Sequence, residues 1–217
     1  MTDSRYCRRQ KTEKSLFNLF YSAIRFPYSV ICLLNIMRYY KTEAIIIKRV
    51  NFGEADRILT ILTKNYGKIR VKAPGVRKIT SRRSSHIELL NLSRLTLYRS
   101  FSASLPIVTE AQTQEEFLTI KNNLKKIGLA YYICELIDRL CADNQENKKA
   151  FFLAKDALYE LANDYGGMAL IDNFEQEFLV ALGFLSESHQ LKDRAAFIEN
   201  ILERKLTTKR LLPLFTS

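Results

Sequence analysis

The chain has 217 residues, enough for one large domain or two small ones with real hydrophobic cores. Hydrophobic residues at 47% and charged residues at 26% are ordinary for a globular protein, and 7 Gly with 4 Pro argue against long flexible linkers. The net charge of +11 and pI near 9.5 are not ordinary, and they direct attention to a polyanionic partner: nucleic acid or an anionic membrane surface.

Residues 1–36 are basic and then apolar (LFNLFYSAIRFPYSVICLL over 16–34). Arg25 and Pro27 interrupt the apolar run and argue against a membrane span, and no small-x-small site suggests a cleavable signal. The expectation is a disordered leader, or an extension from a misassigned start with Met37 as the true first residue. An amphipathic or targeting segment is the alternative.

From Met37 an orderly pattern begins. Residues 39–50 (YYKTEAIIIKRV) predict a first strand, and Asn51-Phe52-Gly53 a turn. Residues 55–64 alternate as a second strand, and Asn65-Tyr66-Gly67 marks a hairpin. Residues 68–73 (KIRVKA) alternate strictly: Ile69 and Val71 inward, Lys68, Arg70 and Lys72 outward. Pro74-Gly75 ends this strand, and 76–85 (VRKITSRRSS) form a basic loop. Residues 86–99 and 104–112 predict the last two strands. Five short strands in so few residues suggest a small closed barrel; the OB-fold is the common oligonucleotide-binding form, and an SH3-like barrel is the structural alternative. After Thr113 the period shifts toward 3.6, with helices expected at 114–124, 125–142, 147–164, 170–183 and 191–204 and a short closing turn at Lys209–Leu212. The fold expected is α+β: a five-stranded OB barrel over 37–113 followed by an α-helical domain over 114–217.

Charge follows this division. Residues 37–110 hold 15 Lys/Arg against 5 Asp/Glu, net +10, whereas 111–217 are net −3. The barrel is therefore the polyanion-binding candidate. Lys48, Arg49, Lys68, Arg70 and Lys72 on strands, with Arg77, Lys78, Arg82 and Arg83 in the loop, are the expected phosphate contacts. Phe52, Tyr66, Tyr98 and Phe101 are available to stack bases, although each fits core or hairpin packing as well.

Signatures of enzymes are missing: no GxxxxGK followed by Ser or Thr, no GxGxxG, no HExxH and no GxSxG. His86 and His189 read as structural, and Glu135, Asp138 and Arg139 as helix-surface charges. The four cysteines (Cys7, Cys32, Cys134, Cys141) form no CxxC pair, so no zinc set can be built. Cys134 and Cys141 share an apolar helical stripe and read as buried packing residues. No metal or cofactor is expected, no disulfide, and no small-molecule substrate; a reducing cytoplasm fits.

The run TEAIIIKRVNFGEADRILTILTKNYGKIRVKAPGVRK (Thr42–Lys78) closely resembles the N-terminal OB domain of the RecO family of recombination and repair mediators. The likeness continues through Ser81 and His86-Ile87-Glu88-Leu89. LAYYICELIDRL (Leu129–Leu140) and FEQEFLVALGF (Phe174–Phe184) resemble two helices of that family's helical domain. Many members carry a cysteine-rich zinc element after the second of these helices; here Leu185–Gln190 runs almost directly into the last helix. The resemblance implies a non-enzymatic mediator of DNA repair and recombination. It would bind single- and double-stranded DNA, anneal complementary strands, and help load the recombinase with RecR on strands coated by single-strand-binding protein. A cytoplasmic, nucleoid-associated location follows. The acidic C-terminal tail of the coating protein would need cations in the helical domain, and Lys121, Lys125, Lys126 and Arg139 are those in the first two helices. A plain RNA- or single-stranded-DNA-binding OB module, and a hydrolase built on His86, are the rival functions.

Overall fold

The computed structural model describes residues 38–101, 103–163, 167–186, 191 and 193–208. The leader, the closing turn at 209–212, His189, Cys7 and Cys32 lie outside them. Five strands form a closed barrel: β1 (Tyr39–Phe52), β2 (Asp56–Thr63), β3 (Gly67–Ala73), β4 (Leu92–Tyr98) and β5 (Ile107–Glu115), in the order β1-β2-β3-β5-β4. Helices α1 (Leu118–Lys121), α2 (Leu124–Leu140), α3 (Lys148–Ala162), α4 (Gly167–Ala181) and α5 (Arg194–Leu202) follow. The expected α+β architecture, barrel then helices, is what forms.

β1–β2 and β2–β3 are antiparallel hairpins, and β3 meets β5 in parallel through Lys72 and Ile107. Bonds from the Ile46 N–H to the Asn91 carbonyl (3.1 Å) and from the Leu90 N–H to the Ile46 carbonyl (2.9 Å) tie β1 to the chain entering β4. The barrel interior is aliphatic: Ala44, Ile46, Leu59, Ile61, Ile69, Val71, Leu95, Leu97 and Val108.

A second core lies outside the barrel. Ile45, Ile47 and Leu62 turn away from the interior and join Tyr132, Ile133, Leu136, Phe151, Leu158, Phe174 and Phe178 from the helices. The unbroken AIII run of β1 is thus buried on both faces, as a strand sandwiched between two cores must be. Each such isoleucine removed from water contributes about 1.5–3 kcal/mol. From Tyr40 onward the strands and helices form one compact unit.

Two elements start or stop away from their expected places. β4 begins at Leu92, because 85–87 form a 3-10 turn and Leu90 takes a left-handed backbone (φ +69°). The Asn91 amide then donates to the Ser85 carbonyl at 2.9 Å and holds that turn closed. β5 continues to Glu115, which pairs with Leu92, and helix starts only after Phe117 (φ +51°) reverses the chain.

The β2–β3 turn packs tightly against the α2–α3 connection. A Cβ on Gly67 (φ +66°) would lie 1.8 Å from the Gln145 carbonyl oxygen, so only glycine fits there. The Asn144 N–H donates to the Lys68 carbonyl at 2.8 Å, locking the α2–α3 connection onto β3. Among the described residues no helix is long and apolar enough to cross a membrane.

Candidate nucleic-acid interface

The hairpin registers place the strand cations. Across the outer face, Lys48 lies opposite Thr60, which lies opposite Arg70; the next row is Val50, Ile58 and Lys72. Phe52 follows at the edge, half exposed, with the Lys72 ammonium 5.2 Å from its ring centroid. A cationic face bordering an exposed aromatic ring is thereby assembled from three strands.

Most of these charges already have carboxylate partners. Lys48 pairs with Asp138 of α2 at 3.0 Å, and Lys72 with Asp56 at 2.9 Å. Arg49 pairs with Glu88, which also holds Arg57 at 3.1 Å. The outward, solvent-facing position expected for Lys68 is corrected: the side chain is buried at 7% exposure. Its row lies under the helices beside Leu62, so its ammonium donates to the Asp138 carbonyl and pairs with Asp143 at 3.1 Å. Arg70 alone among the five strand cations is exposed with no carboxylate partner among the described residues.

The β3–β4 loop is different. Arg77, Lys78 and Arg82 are exposed, and no carboxylate among the described residues pairs with any of them. Their loop is well anchored. The Gly75 N–H donates to Asp56 Oδ1 at 2.8 Å, the Arg77 N–H to the Ala55 carbonyl at 2.9 Å, and its guanidinium to the Gly53 carbonyl at 3.0 Å. Val76 is fully buried in the barrel mouth. Arg83 is half-buried and holds the structure together, donating to the Val108 carbonyl and to the Pro74 carbonyl (2.8 Å). Asp56 therefore serves both regions. The Gly75 N–H, then the Lys72 ammonium, hold its carboxyl below the usual range.

Of the other aromatic candidates, Phe101 is 88% exposed and Tyr98 half-buried, while Tyr66 packs edge-on against Tyr40 at 4.7 Å.

His86 sits in a structural role: its Nδ1 lies 2.9 Å from the Thr113 hydroxyl and accepts weakly from the Thr113 N–H at 3.4 Å. Cys134 and Cys141 are buried free thiols, and burial pushes them up to about 12 and about 11, so both stay protonated. Glu135 and Asp138 are more than surface charges. The Asp138 carboxylate holds Lys48 while its backbone carbonyl accepts from Lys68, and Glu135 accepts from the N–H groups of Thr207 (3.0 Å) and Thr208 (2.7 Å). Burial raises the Glu135 carboxyl, but those two N–H donors and Arg139 outweigh it and leave it lowered. These partners join segments far apart in sequence, so no local pattern reveals them.

Lys121, Lys126 and Arg139 are each engaged separately. The Lys126 ammonium is buried against the Ala162 carbonyl at 3.0 Å, and Lys121 bonds the Asn91 side chain. Arg139 lies thirteen residues further along α2, about 20 Å from Lys126 at helical rise, and pairs with Glu135. A more open feature is a groove of about 650 Å³ between α3 and α4, with Phe152, Leu153 and Val180 inside and Lys148, Lys149, Asp156 and Glu177 among its lining residues.

Comparison with known proteins agrees with this layout. Residues 37–117 match the family model "Recombination protein O N terminal" and residues 121–190 match "Recombination protein O C terminal". The chain is 40% identical over 153 residues to a protein named DNA repair protein RecO from Roseiflexus sp. (strain RS-1), covering 70% of this chain and 53% of that protein. It is 37% identical over 148 residues to the protein of that name from Dehalococcoides mccartyi (strain BAV1), covering 68% and 58%. A third of that name, from Pelotomaculum thermopropionicum, is 34% identical over 148 residues, again at 68% of this chain and 57% of its own. The matches thus span only a little over half the length of these relatives. With both of the family's models matched in order on a barrel and a helical bundle, this chain belongs to the RecO family.

Proposed function

We propose that this protein is a non-enzymatic mediator of DNA repair and recombination that holds DNA chiefly on its β3–β4 loop and the adjoining corner of the barrel. The observation that carries this reading is the group of exposed cations without carboxylate partners among the described residues: Arg70, Arg77, Lys78 and Arg82. A phosphate reaching them displaces counterions only, whereas one reaching Lys48, Arg49 or Lys72 must first replace an ion pair. Phe52, at the same corner, gives a base an aromatic ring to stack on. Arg83 then supports the interface from behind. The family supports single- and double-stranded DNA as ligands and annealing of complementary strands as the activity, since a cationic corner lowers the repulsion between two backbones.

Residues 37–113 are in this reading the nucleic-acid half, and 114–217 the half that meets RecR and the single-strand-binding protein. Within that half the α3–α4 groove offers an apolar surface at Phe152, Leu153 and Val180, with Lys149, Asp156 and Glu177 among its lining residues and Lys148 paired to Glu146 at 3.3 Å. The test is a titration of the full chain with matched single-stranded DNA and RNA across a salt series. Binding to DNA that weakens steeply with salt, with accelerated annealing on bare and coated strands, is expected. Equal or tighter binding to RNA without annealing would favour a plain nucleic-acid-binding module.

A further inference from the structure

Ile79 is the most exposed large apolar side chain among the described residues, fully in solvent at the outer part of the β3–β4 loop. A lone exposed aliphatic residue is ordinary on most surfaces. Here its setting is particular. Arg77 and Lys78 precede it and Arg82 follows, all exposed and without carboxylate partners among the described residues. The loop that carries it is stiffened from both ends. On one side the Gly75 N–H binds Asp56 and the Arg77 guanidinium binds the Gly53 carbonyl; on the other Arg83 grips Val108 and Pro74. Successive turns, from the Lys78 N–H to the Gly75 carbonyl (3.2 Å) and the Ser81 N–H to the Lys78 carbonyl (2.9 Å), bracket the residue itself. Isoleucine is also stiff at χ1, so the side chain is presented in few conformations.

Phosphates have nothing to offer an isoleucine. Once cations on either side hold a backbone, the apolar surface within reach is the faces of the bases. Apolar wedges set among cations enter base steps in this way, and the backbone contacts offset the lost stacking. From this arrangement we infer that Ile79 is a wedge that enters between neighbouring bases of bound DNA and unstacks them. The inference rests on the proposed function and adds a mode of binding to it: Arg77, Lys78 and Arg82 anchor the strand while Ile79 opens one step of its stack. Bases opened this way are free to meet a complement, which links the loop to annealing.

The test uses the full chain and a single-stranded oligonucleotide carrying 2-aminopurine, whose emission is quenched by stacking. Emission should rise at saturation with the unaltered protein. Ile79→Ser should bind with an unchanged salt slope and melting temperature but lose that rise, and Ile79→Leu should keep it. Binding without any rise, or a rise that survives in Ile79→Ser, would overturn the wedge while leaving DNA binding in place. Absence of binding by the unaltered protein would remove the proposed function, and the wedge with it. Vesicles of phosphatidylglycerol provide the last arm. If they bind the unaltered protein but not Ile79→Ser, while both proteins give the same DNA signal, the residue serves a lipid surface and the inference fails.

Discussion

The outer face of β1–β3 and the β3–β4 loop look alike as sequence, since both are dense in Lys and Arg. In the folded chain they differ. On the strands, Asp138, Glu88, Asp143 and Asp56 take up Lys48, Arg49, Lys68 and Lys72, with Lys68 buried under the helices. In the loop, Arg77, Lys78 and Arg82 pair with no carboxylate among the described residues, while Arg83, with one bond from Arg77, holds the loop in place. Charge counted along a chain is thus a poor guide to charge offered at a surface. What decides is whether the fold brings a carboxylate alongside.

The sharpest way to break this comparison is to remove the loop charges together. Arg77→Ala, Lys78→Ala and Arg82→Ala combined should nearly abolish binding to single-stranded DNA at physiological salt. Stability should fall only slightly, since exposed changes usually cost within about 0.5 kcal/mol each and Arg77 gives up one exposed bond to the Gly53 carbonyl. Fluorescence anisotropy and thermal melting read the two effects.

Lys68 sharpens the comparison from the other side. Lys68→Ala leaves the Asp138 carbonyl without its donor inside the join between barrel and helices, at a cost of about 1–3 kcal/mol. Chemical denaturation should show that loss, and DNA affinity per folded molecule should be unchanged. A loss of affinity without a loss of stability would return Lys68 to the interface.

Removing the neutralising carboxylates should do the opposite of removing cations. Asp138→Asn frees Lys48, and an exposed pair of this kind is worth at most about 1 kcal/mol, so affinity should rise by no more than about fivefold at low salt. No rise would mean that Lys48 lies outside the DNA path.

The smallest expected effect is on pH dependence. The Asp56 carboxyl is held below its usual range by the Gly75 N–H and then by Lys72. Its contribution to stability is therefore complete above the ordinary carboxylate value and lost as pH falls through the lowered folded value. Asp56→Asn should flatten that part of the acid melting curve and leave the neutral-to-basic part unchanged in shape.

Much of the fold is legible in the sequence because its signals are local. Alternation in KIRVKA and the turn at Asn65-Tyr66-Gly67 lead directly to β3 and its hairpin, and the 3.6 period after β5 leads to the helices. The later start of β4 has a physical reason: 86–91 look strand-like in composition, but Leu90 turns left-handed to bury its side chain in the core shared with the helices. The interface is legible as a set of cations and illegible as a charge pattern. Strict alternation puts Lys68 and Arg70 on one face, and only the packing of α2 and the 143–147 segment separates the buried one from the exposed one.

The central claim is that the loop, more than the strand face, neutralises DNA phosphates. The most direct test is the dependence of log affinity for single-stranded DNA on log salt, compared among the unaltered chain, the Arg77/Lys78/Arg82 triple alanine variant and a Lys48/Lys72 double alanine variant. Each phosphate left without its cation lowers the slope by about 0.7, so the triple variant should flatten it by about 2 and the double variant by well under 1. A double variant that flattens the slope more than the triple one would contradict the account and place the DNA on the strand face.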